Sequence, residues 1–477
     1  MAAADQVLSF HEVGHRRYEL SCLRTRNVRD QILRGQLLVD RLFIRGDIGG
    51  GKELLVIGGG AAGASCALRA AMLGVNVVLL EVNLNPFTTQ LGVSTRWLDP
   101  TEFDWPQDHW HRGTMAWGST RYALGYSASD ADMLAWGWTS LFTAARYGLL
   151  KLRGRLDYHW GVDARRLRYP KARRIGGGIG AAPWAGYPKG VRPFGAAISC
   201  IGFSGEKTSV PSTVGGALVG PKFWSADNIG LPLLGITLPA GGVVRALVSG
   251  SGDGAQQDFL RVLTGMFGAK LANAMGLPSK ASSLPLLGAL LAEDFALRAL
   301  SWNEPGKQPA QALRNWHQAY EDCAEVIWHD WQMQPGQVAS LQKLLRPDIE
   351  ATWLVGSDVT TYSYGLNRLL AMLVARLHAD HMTRPWKGVD QMHAPPLRQV
   401  VLYGYRLKSV TPVAPVSHVC GTGCYGHEHE AEVEGTVTGS SPLGPFDVIV
   451  ARHGIHQRAL FASPRVHEQR VPFDEPR

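Results

Sequence analysis

The chain has 477 residues, 45% of them hydrophobic and 18% charged, which is ordinary for a globular protein with two or three lobes. It has no run of 18 uncharged apolar residues and no apolar signal-peptide core, so we expect neither a membrane-spanning helix nor secretion. Its six Cys are scattered rather than arranged as a disulfide framework, which favours a reducing, cytoplasmic compartment.

Residues 1–50 are predicted to be a basic N-terminal leader with one helix, from Val28 to Phe43. Leucines recur in this helix at helical spacing, so it is expected to dock on the body of the protein. Residues 16–45 contain eight Arg and no Lys. This excess of positive charge is compatible with nucleic acid, an anionic membrane or an acidic partner, but it favours a solvated helix face that covers the core.

A strand–turn–helix–strand pattern follows the leader. The apolar run Leu54–Ile57 predicts a buried strand, and the segment Ala64–Leu73 predicts a helix with small residues on its sheet-facing side. Val77–Leu80 predicts a second strand parallel to the first. This context indicates a nucleotide-binding α/β unit, the alternative being a glycine-rich turn in another α/β fold.

The turn of this unit has G-x-G-x-x-G spacing. In such a turn the first glycine permits the tight bend, the second lets the backbone approach a pyrophosphate, and the third allows close packing of helix on strand. Glu81 closes the second strand, where an acidic group can accept hydrogen bonds from a ribose. The candidate cofactor-binding residues of the turn are Gly58, Gly60, Ala61, Ala62 and Gly63.

Residues 97–118 are rich in aromatic and histidine side chains. A loop of this kind is costly to leave in water, so it is expected to cover something. Trp105 and Trp110 belong either to a lid over a ligand or to a packing surface between lobes. His109 and Asp104 are candidates for general acid–base catalysis, with His109 retained as a candidate catalytic residue.

A second glycine turn lies beyond residue 240. First, Ala196–Ile201 predicts another buried strand, with Gly202 at its carboxyl end, beside the expected ligand crevice. Gly250, Gly252 and Ala255 then keep G-x-G-x-x-A spacing between a strand and a helix. We expect these four residues to contact a cofactor.

After the second turn the sequence predicts mostly helix to about Asp380, and then strands at 399–408 and 430–438. The last strand, Phe446–Ala451, is nearly all apolar and therefore expected in the middle of a sheet. Arg452, His453 and Gly454 follow it, at the edge expected to open on the ligand. Arg452 and His453 are candidate catalytic residues, the alternative being a pair that caps loop carbonyls.

The segment 418–429 concentrates potential metal ligands, among them Cys420, Cys424 and His427. Thiolates and imidazoles in such a group can bind Zn²⁺, although the spacing of the two cysteines is loose for a zinc site. A polar loop between strands is the alternative, and we assign no metal.

Three features together resemble the flavoprotein oxidoreductases with two dinucleotide-binding domains, the group of thioredoxin-reductase-like enzymes and flavin monooxygenases. These features are GGGAAG with Glu81, the strand with its glycine in ISCIGF, and the second turn GSGDGA. The resemblance implies FAD at the first turn, with Glu81 on the adenosine ribose, and NAD(P)H at the second. It also implies that Gly202 lies near the flavin and that residues 446–454, ending at Gly454, return to complete the FAD-binding domain.

The sequence departs from this family in three ways. After Gly254 no second strand ending in an acid or an Arg cluster is recognised, so a site for NAD(P)H at the second turn stays open. Asp253 places a negative charge in a loop expected to hold phosphates. A C-x-x-C pair is absent from the sequence, which disfavours disulfide reductase chemistry.

The predicted fold is α/β: a discontinuous Rossmann-like FAD-binding lobe, a second nucleotide-binding-like lobe and a helical insertion. The predicted function is an FAD-dependent oxidoreductase acting on a small molecule, with an NAD(P)H-dependent monooxygenase as its finer form. A non-catalytic or regulatory FAD- or NAD-binding protein is the alternative, followed by a nucleic-acid-associated protein. The predicted units are a leader at 1–50, an FAD-binding lobe at 51–240 and 430–477, a second dinucleotide-like unit at 241–275, a helical insertion at 276–390, and connecting strands at 391–429.

Overall fold

Two parallel β-sheets organise the chain, which is described by a computed structural model. The residues that the structure describes are 2–21, 28–100, 102, 105–106, 123–167, 179–181, 192–203, 205–235, 242–277, 283–303, 310–357, 363–381, 400–415, 427–435, 439–456 and 460–461. Every structural statement below concerns these residues.

The elements are numbered in chain order. The helices are α1 (Ala2–His11), α2 (Val28–Ile44), α3 (Ala61–Met72), α4 (Ala131–Arg146), α5 (Asp253–Thr264), α6 (Gly268–Ala274), α7 (Leu287–Asn303), α8 (Ala310–Met333), α9 (Gln337–Gln342) and α10 (Gly365–His381). The strands are β1 (Glu12–Gly14), β2 (Arg17–Glu19), β3 (Leu54–Ile57), β4 (Val77–Leu80), β5 (Trp97–Leu98), β6 (Ser129–Asp130), β7 (Leu156–His159), β8 (Ile179–Ala181), β9 (Arg192–Phe194), β10 (Ala196–Ser199), β11 (Gly205–Glu206), β12 (Ser209–Pro211), β13 (Ala217–Val219), β14 (Val244–Ser249), β15 (Ile349–Val355), β16 (Val401–Tyr403), β17 (Tyr405–Pro415), β18 (His427–Gly435), β19 (Gly439–Phe446), β20 (Val448–Ala451) and β21 (Ile455–His456).

The first sheet has the strand order β1-β2-β10-β3-β4-β7, and every neighbouring pair except β1 with β2 is parallel. All four residues of β3, β4 and β10 are buried, as expected for strands covered on both faces. The small residues of α3 are buried as well, which lets this helix approach both the sheet and α2. The predicted nucleotide-binding unit is confirmed in outline.

The N-terminal segment is not a leader with one helix. It forms α1, β1 and β2 before α2, and β2 pairs in parallel with β10. Strands of three residues are too short to show a periodicity, and their partner lies about 180 residues further along the chain. The predicted helix from Val28 is confirmed as α2, which ends at Ile44.

The arginines of this segment do not form a solvated helix face where the structure describes them. Arg29 and Arg34 are buried, and Arg29 donates to the carbonyl oxygen of Pro100 at 2.6 Å. Arg45 donates to the carboxylate of Asp47 at 2.5 Å. These charges serve internal contacts, and a nucleic-acid or acidic partner for this segment stays a prediction.

The second sheet has the order β16-β15-β14-β20 and is parallel throughout. Side chains of β14 alternate between its faces. Val244, Ala246 and Val248 enter a core with the helices α5 to α10, whereas Leu247 packs with the antiparallel sheet β17-β18-β19. The second unit therefore has three layers: helices, a parallel sheet and an antiparallel sheet.

Two sequence predictions about this region are wrong. The segment to about Asp380 is mostly helical as predicted, but the expectation that it contains no second strand after Gly254 is wrong, because β15 is a seven-residue strand beside β14. The strand predicted to return to the first sheet, now β20, pairs instead with β14 and lies at the edge of the second sheet. Its apolar sequence shows that it is buried but cannot say in which sheet.

The second unit is therefore wider than the predicted range 241–275. Its sheet takes strands from as far apart as residues 244 and 451, and the helices α5 to α9 lie between its first two strands. Among the helices described, none is long and apolar enough to cross a membrane.

Candidate functional site

The first glycine turn joins β3 to α3 and is shaped by two close backbone approaches. Gly58 has a φ of +105°, and a Cβ there would lie 2.3 Å from the carbonyl oxygen of Cys200. A Cβ on Gly63 would lie 1.8 Å from the carbonyl oxygen of Gly58. Only glycine fits both positions. Gly60 differs, because no atom lies within 4 Å of its Cβ position, so it faces open space.

The N-terminus of α3 is suited to an anion. Gly60 is its N-cap residue and provides no side-chain cap, and the first turn has no acidic residue. The N–H groups of a first helical turn have no partner within the helix, and they lie at the positive end of its dipole. Gly60, Ala61 and Ala62 line a cavity, so a phosphate in it would meet these N–H groups.

Glu81, at the end of β4, fixes the shape of this turn. One of its carboxylate oxygens accepts a hydrogen bond from the N–H of Gly59, and the other accepts from the backbone and side-chain amides of Asn83 at 2.8 and 2.7 Å. The carboxylate is buried, and Glu81 is not among the described residues that line the cavity. Its predicted contact with a ribose stays a prediction.

The second glycine turn joins β14 to α5 and repeats the construction of the first. Gly250 has a φ of +145°, and a Cβ there would lie 2.3 Å from the carbonyl oxygen of Arg452. Gly252 is the N-cap residue of α5, and Ala255 is fully buried at the third position of the motif. All three residues line the same cavity as the first turn.

The strand ends that contact the two turns are also built alike. Cys200 follows β10 and leads to Gly202, and Arg452 follows β20 and leads to Gly454. Both glycines have positive φ, +68° for Gly202 and +94° for Gly454. The short strands after them, β11 and β21, pair with each other antiparallel and connect the two units. The predicted residues Gly202, Arg452, His453 and Gly454 therefore reach the cavity, from two sheets rather than one.

Asp253, the first residue of α5, distinguishes the second turn from the first. Its carboxylate accepts hydrogen bonds from the side chains of Asn367 at 3.0 Å and Gln257 at 2.7 Å, and from the N–H of Tyr364 at 3.3 Å. Burial raises the pKa of Asp253 to about 6 in spite of these donors. A mostly ionised acid thus stands at neutral pH where a phosphate would approach.

One cavity of about 1330 Å³ contains both turns. It is lined by Gly60–Ala62 on one side and Ser249–Ala255 on the other, with the residues that follow β10 and β20 between them. Ligand pockets usually measure about 300–1,000 Å³. The cavity is therefore large enough for a dinucleotide and a second ligand.

A buried charge cluster forms one wall of this cavity. Arg452 donates through Nε to Asp258 at 2.6 Å and through Nη1 to the carbonyl oxygen of Pro221. Asp258 also pairs with Arg96 at 2.5 Å and Arg261 at 3.1 Å. Burial alone would raise the pKa of Asp258, but the guanidinium groups of Arg452, Arg96 and Arg261 outweigh it and hold that pKa below its usual range.

The cluster carries more positive than negative charge. Arg96 and Arg261 also bind Asp227, which gives three arginines and two aspartates. Nη2 of Arg452 is buried and has no hydrogen-bond partner among the described residues. Because Arg452 lines the cavity, an anionic ligand there would offset the excess charge of the cluster.

His453 lies beside Arg452 at the same edge. Its Nε2 is 2.9 Å from the hydroxyl oxygen of Ser249, the last residue of β14. Partial burial of the ring lowers the pKa of His453 below its ordinary value, which favours the neutral imidazole. A neutral imidazole at the wall of a cavity can accept a proton.

The aromatic segment 97–118 was predicted to be either a lid over a ligand or a packing surface, and its described tryptophans differ in this respect. Trp105 is buried in the core of the second unit, where its ring lies 6.0 Å from that of Tyr320. It is a packing residue and does not line the cavity. Trp97, which is 49% exposed, does line it, together with Leu98.

Several predicted residues lie outside the described part of the chain, among them His109, Trp110, Cys420 and Cys424. Within the residues described, no group of His, Cys, Asp or Glu could hold a metal ion. The predicted alternatives for these positions stay open.

Sequence reasoning missed Ser249, Asp258 and Glu102. Asp258 could have been found from the sequence, because it is an acid beside apolar residues of α5 and is followed three residues later by Arg261. Ser249 and Glu102 could not, since only the fold brings them to the cavity.

Residues 53–95 match the model of the FAD binding domain. A search of curated proteins finds no match.

Three solved structures illustrate what the chain is similar to. Thioredoxin reductase of T. acidophilum is 10% identical, with 85% of this chain and 77% of that one covered and a TM-score of 0.34. The bacillithiol disulfide reductase Bdr of Staphylococcus aureus is 10% identical, with 85% and 77% covered and a TM-score of 0.37. A flavin-containing monooxygenase from Stenotrophomonas maltophilia is 15% identical, with 44% and 54% covered and a TM-score of 0.26. All three scores are below 0.5, and we base no conclusion on these likenesses.

The family match and the two parallel sheets with their glycine turns confirm the predicted fold class and the resemblance to flavoproteins with two dinucleotide-binding units. The family match is to an FAD-binding segment of the chain. Its cofactor is FAD, and the matched residues 53–95 contain the first glycine turn.

Proposed function

We propose that the chain oxidises or reduces a small molecule at an FAD bound along the first glycine turn, with the second ligand entering beside the second turn. The observation that supports this proposal is the shared cavity of about 1330 Å³, which is lined by both turns. A cavity of this kind lets two ligands meet without leaving the protein.

The first turn fits the pyrophosphate of FAD better than the second does. Gly60 leaves its face open, and no acid stands in the first turn of α3. Arg452 places a positive charge on the cavity wall, where it would stabilise the reduced, anionic form of a flavin. When bound, FAD supplies the hydride acceptor and donor. Arg452 would help to hold the flavin through its charge, and His453 would accept a proton released in the reaction.

We propose NAD(P)H as the source of electrons, bound at the second turn. Its support is the parallel neighbour β15, which follows α5 and the helical insertion, as the next strand of a nucleotide-binding unit should. The carboxyl end of β15, at Gly356 and Ser357, also lines the cavity, and Arg406 donates to the carbonyl oxygen of Gly356 at 3.0 Å. Asp253 opposes this binding, since its charge repels phosphate.

The absorption spectrum of the purified protein tests the proposal. The expected result is a yellow protein with flavin absorption that bleaches on anaerobic addition of NADPH or NADH. A colourless protein that takes up no FAD would overturn the proposal. Flavin that stays oxidised with both nucleotides, and with every small molecule tried, would favour a ligand-sensing role. Oxygen consumption that requires an organic substrate would test the monooxygenase prediction. A cytoplasmic location stays a prediction.

Arg452→Met tests the role given to the charge cluster. The substitution leaves two arginines and two aspartates, a neutral set, so the flavin-free fold should lose little stability. Flavin affinity should fall on the order of tenfold or more, because a charged hydrogen bond is lost. The matched control is Arg346→Met, since Arg346 also donates to two backbone carbonyl oxygens, those of Ile229 and Gly230, but lies outside the cavity lining. Equal flavin loss in both variants would make Arg452 a structural residue.

A further inference from the structure

Helix α4 presents an uncharged face to solvent. The exposed residues of the helix recur at helical spacing, and they are Met133, Trp136, Gly137, Ser140, Leu141 and Thr143. Tyr147, the C-cap residue, and Leu149 extend the face beyond the helix. Met133, Trp136 and Tyr147 each expose more than half of their surface. Exposed apolar side chains that are grouped in this way are typical of an interaction surface.

The opposite face of α4 holds the helix on the protein. Ala135, Trp138 and Phe142 belong to the buried core around the first sheet. The ring of Trp138 lies 5.5 Å from that of Phe87, and the ring of Phe142 lies 5.3 Å from that of Tyr158. The helix is therefore amphipathic in an unusual sense, because it packs through one apolar face and exposes a second.

Two hydroxyl groups on or beside the exposed face are satisfied inside the helix. Ser140 donates to the carbonyl oxygen of Trp136 at 3.0 Å, and Thr139 donates to the carbonyl oxygen of Ala135 at 2.7 Å. A hydroxyl that bonds within its own helix can leave water without losing that hydrogen bond. These two side chains therefore add little to the cost of moving the face out of water.

Positive charge follows the exposed face. Residues 131–155 contain four cations and one acid, which gives a net charge of +3. The acid, Asp132, lies at the other end of the helix and accepts a hydrogen bond from the N–H of Gly92 at 2.7 Å. Lys151 and Arg153 are exposed, and neither forms an ion pair with another described residue. The C-terminal end of the face is therefore basic.

An arginine and two aromatic rings lie where the apolar face meets the basic end. The guanidinium of Arg146 lies 4.5 Å from the ring centroid of Trp160 and 5.4 Å from that of Tyr147. Both rings are exposed. Tryptophan and tyrosine, with an apolar body and a polar edge, are favoured at the boundary between lipid and water, and arginine places its charge among the headgroups.

We propose that α4 and the basic segment after it dock on the surface of an anionic lipid bilayer. The helix lies in the plane of the interface, with Trp136 and Leu141 among the acyl chains and Lys151 among the anionic headgroups. Charge complementarity selects this partner. Nucleic acid would offer phosphates without an apolar phase, and a protein partner would need a groove matched to a convex helix, whereas a fluid bilayer adapts to it. The inference is independent of the function proposed above.

The experiment is flotation of the full chain with lipid vesicles. One set of vesicles contains phosphatidylcholine alone, and the other contains phosphatidylcholine mixed with anionic phosphatidylglycerol. We expect stronger binding to the anionic vesicles at low salt, and weaker binding at high salt, because salt screens the attraction between the basic segment and the headgroups.

The apolar contribution is tested by the double variant Trp136→Gln with Leu141→Gln. Its binding to anionic vesicles should fall on the order of tenfold or more, since both side chains would otherwise be buried among acyl chains. The matched control is Phe295→Gln with Met333→Gln, two exposed apolar residues on α7 and α8. The control should bind like the wild type.

The charge contribution is tested by Lys151→Gln with Arg153→Gln. Binding to anionic vesicles should fall on the order of fivefold for each cation removed, with little change for phosphatidylcholine alone. The control is Lys270→Gln with Lys343→Gln, which changes the net charge by the same amount at exposed positions in the second unit. The control should leave binding unchanged.

A wild-type chain that does not float with anionic vesicles would overturn the proposal, as would equal binding of each variant and its control. Self-association in sedimentation velocity without lipid, lost on substitution of Trp136 and Leu141, would assign the face to a second copy and overturn membrane docking. Thermal unfolding is measured for every variant. If the Trp136 and Leu141 variant fails to fold, the Lys151 and Arg153 variant, which lies beyond the helix, decides the outcome.

Discussion

The two glycine turns have nearly the same backbone and opposite surroundings. Gly60 and Gly252 cap their helices with φ, ψ of −73°, −176° and −93°, −179°. In both turns the Cβ position of a preceding glycine, Gly58 or Gly250, lies 2.3 Å from a carbonyl oxygen at the neighbouring strand end, that of Cys200 or Arg452.

The side chains around the turns differ. The helix after the first turn, α3, begins with two alanines and has no acid in its first turn, whereas α5, after the second turn, begins with Asp253. The ring of Phe223 also lies 3.2 Å from the Cβ position of Gly254 in the second turn. The comparison shows that glycine spacing specifies the backbone conformation of the turn. The charged and aromatic side chains around the turn decide which ligand it can bind.

Substituting the two N-cap glycines tests the comparison most strongly. Gly60→Val should place a side chain in the pyrophosphate position without a clash inside the protein, so the variant should fold and contain no flavin. Gly252→Val should keep its flavin and lose reduction by NAD(P)H. The measurements are flavin absorption per protein and anaerobic bleaching. Flavin loss in Gly252→Val, or its retention in Gly60→Val, would contradict the assignment of the two turns.

Replacing two tryptophans sharpens the boundary between cavity and core. Trp105→Ala should lower the free energy of unfolding by about 3–5 kcal/mol, since it empties a buried site in the second unit. Trp97→Ala should cost little stability and should reduce the quenching of tryptophan emission by bound flavin. Denaturant unfolding and emission spectra with and without flavin measure both. Similar stability losses for the two variants would place Trp97 in the core as well.

Asp253→Asn examines the charge that separates the turns. The raised pKa means that the folded protein holds this proton more tightly than the unfolded chain. Asp253 therefore costs no stability below about pH 4, and its cost grows as pH rises through about 6. With a pKa moved from 3.8 to about 6, the full cost above that pH is about 3 kcal/mol.

Unfolding of the wild type and of Asp253→Asn is then compared at pH 4.5 and pH 7.5. The variant should gain relative stability at the higher pH, by at most the cost just given. A stability difference that does not change with pH would mean that Asp253 titrates normally. Weaker NAD(P)H binding in the variant would show that the carboxylate does not repel a phosphate at the second turn.

The sequence by itself determined the first nucleotide-binding unit, because all its signals are local. Gly58, Gly60 and Gly63 lie within six residues, with a strand before them and a helix and a strand after them. It also located Arg452 and His453 at a strand end that lines the cavity. These features follow from spacing and burial along one stretch of chain.

Tertiary structure decided what depends on partners far apart in the chain. The sequence could not say that β2 lies beside β10, that β20 joins the second sheet, or that β15 lies beside β14 after a helical insertion. It could not bring Glu102 to Asp253, or Arg452 to Asp258. Strand pairing and buried charge pairing are set by which surfaces close on one another in the folded chain, and no local pattern of residues records that choice.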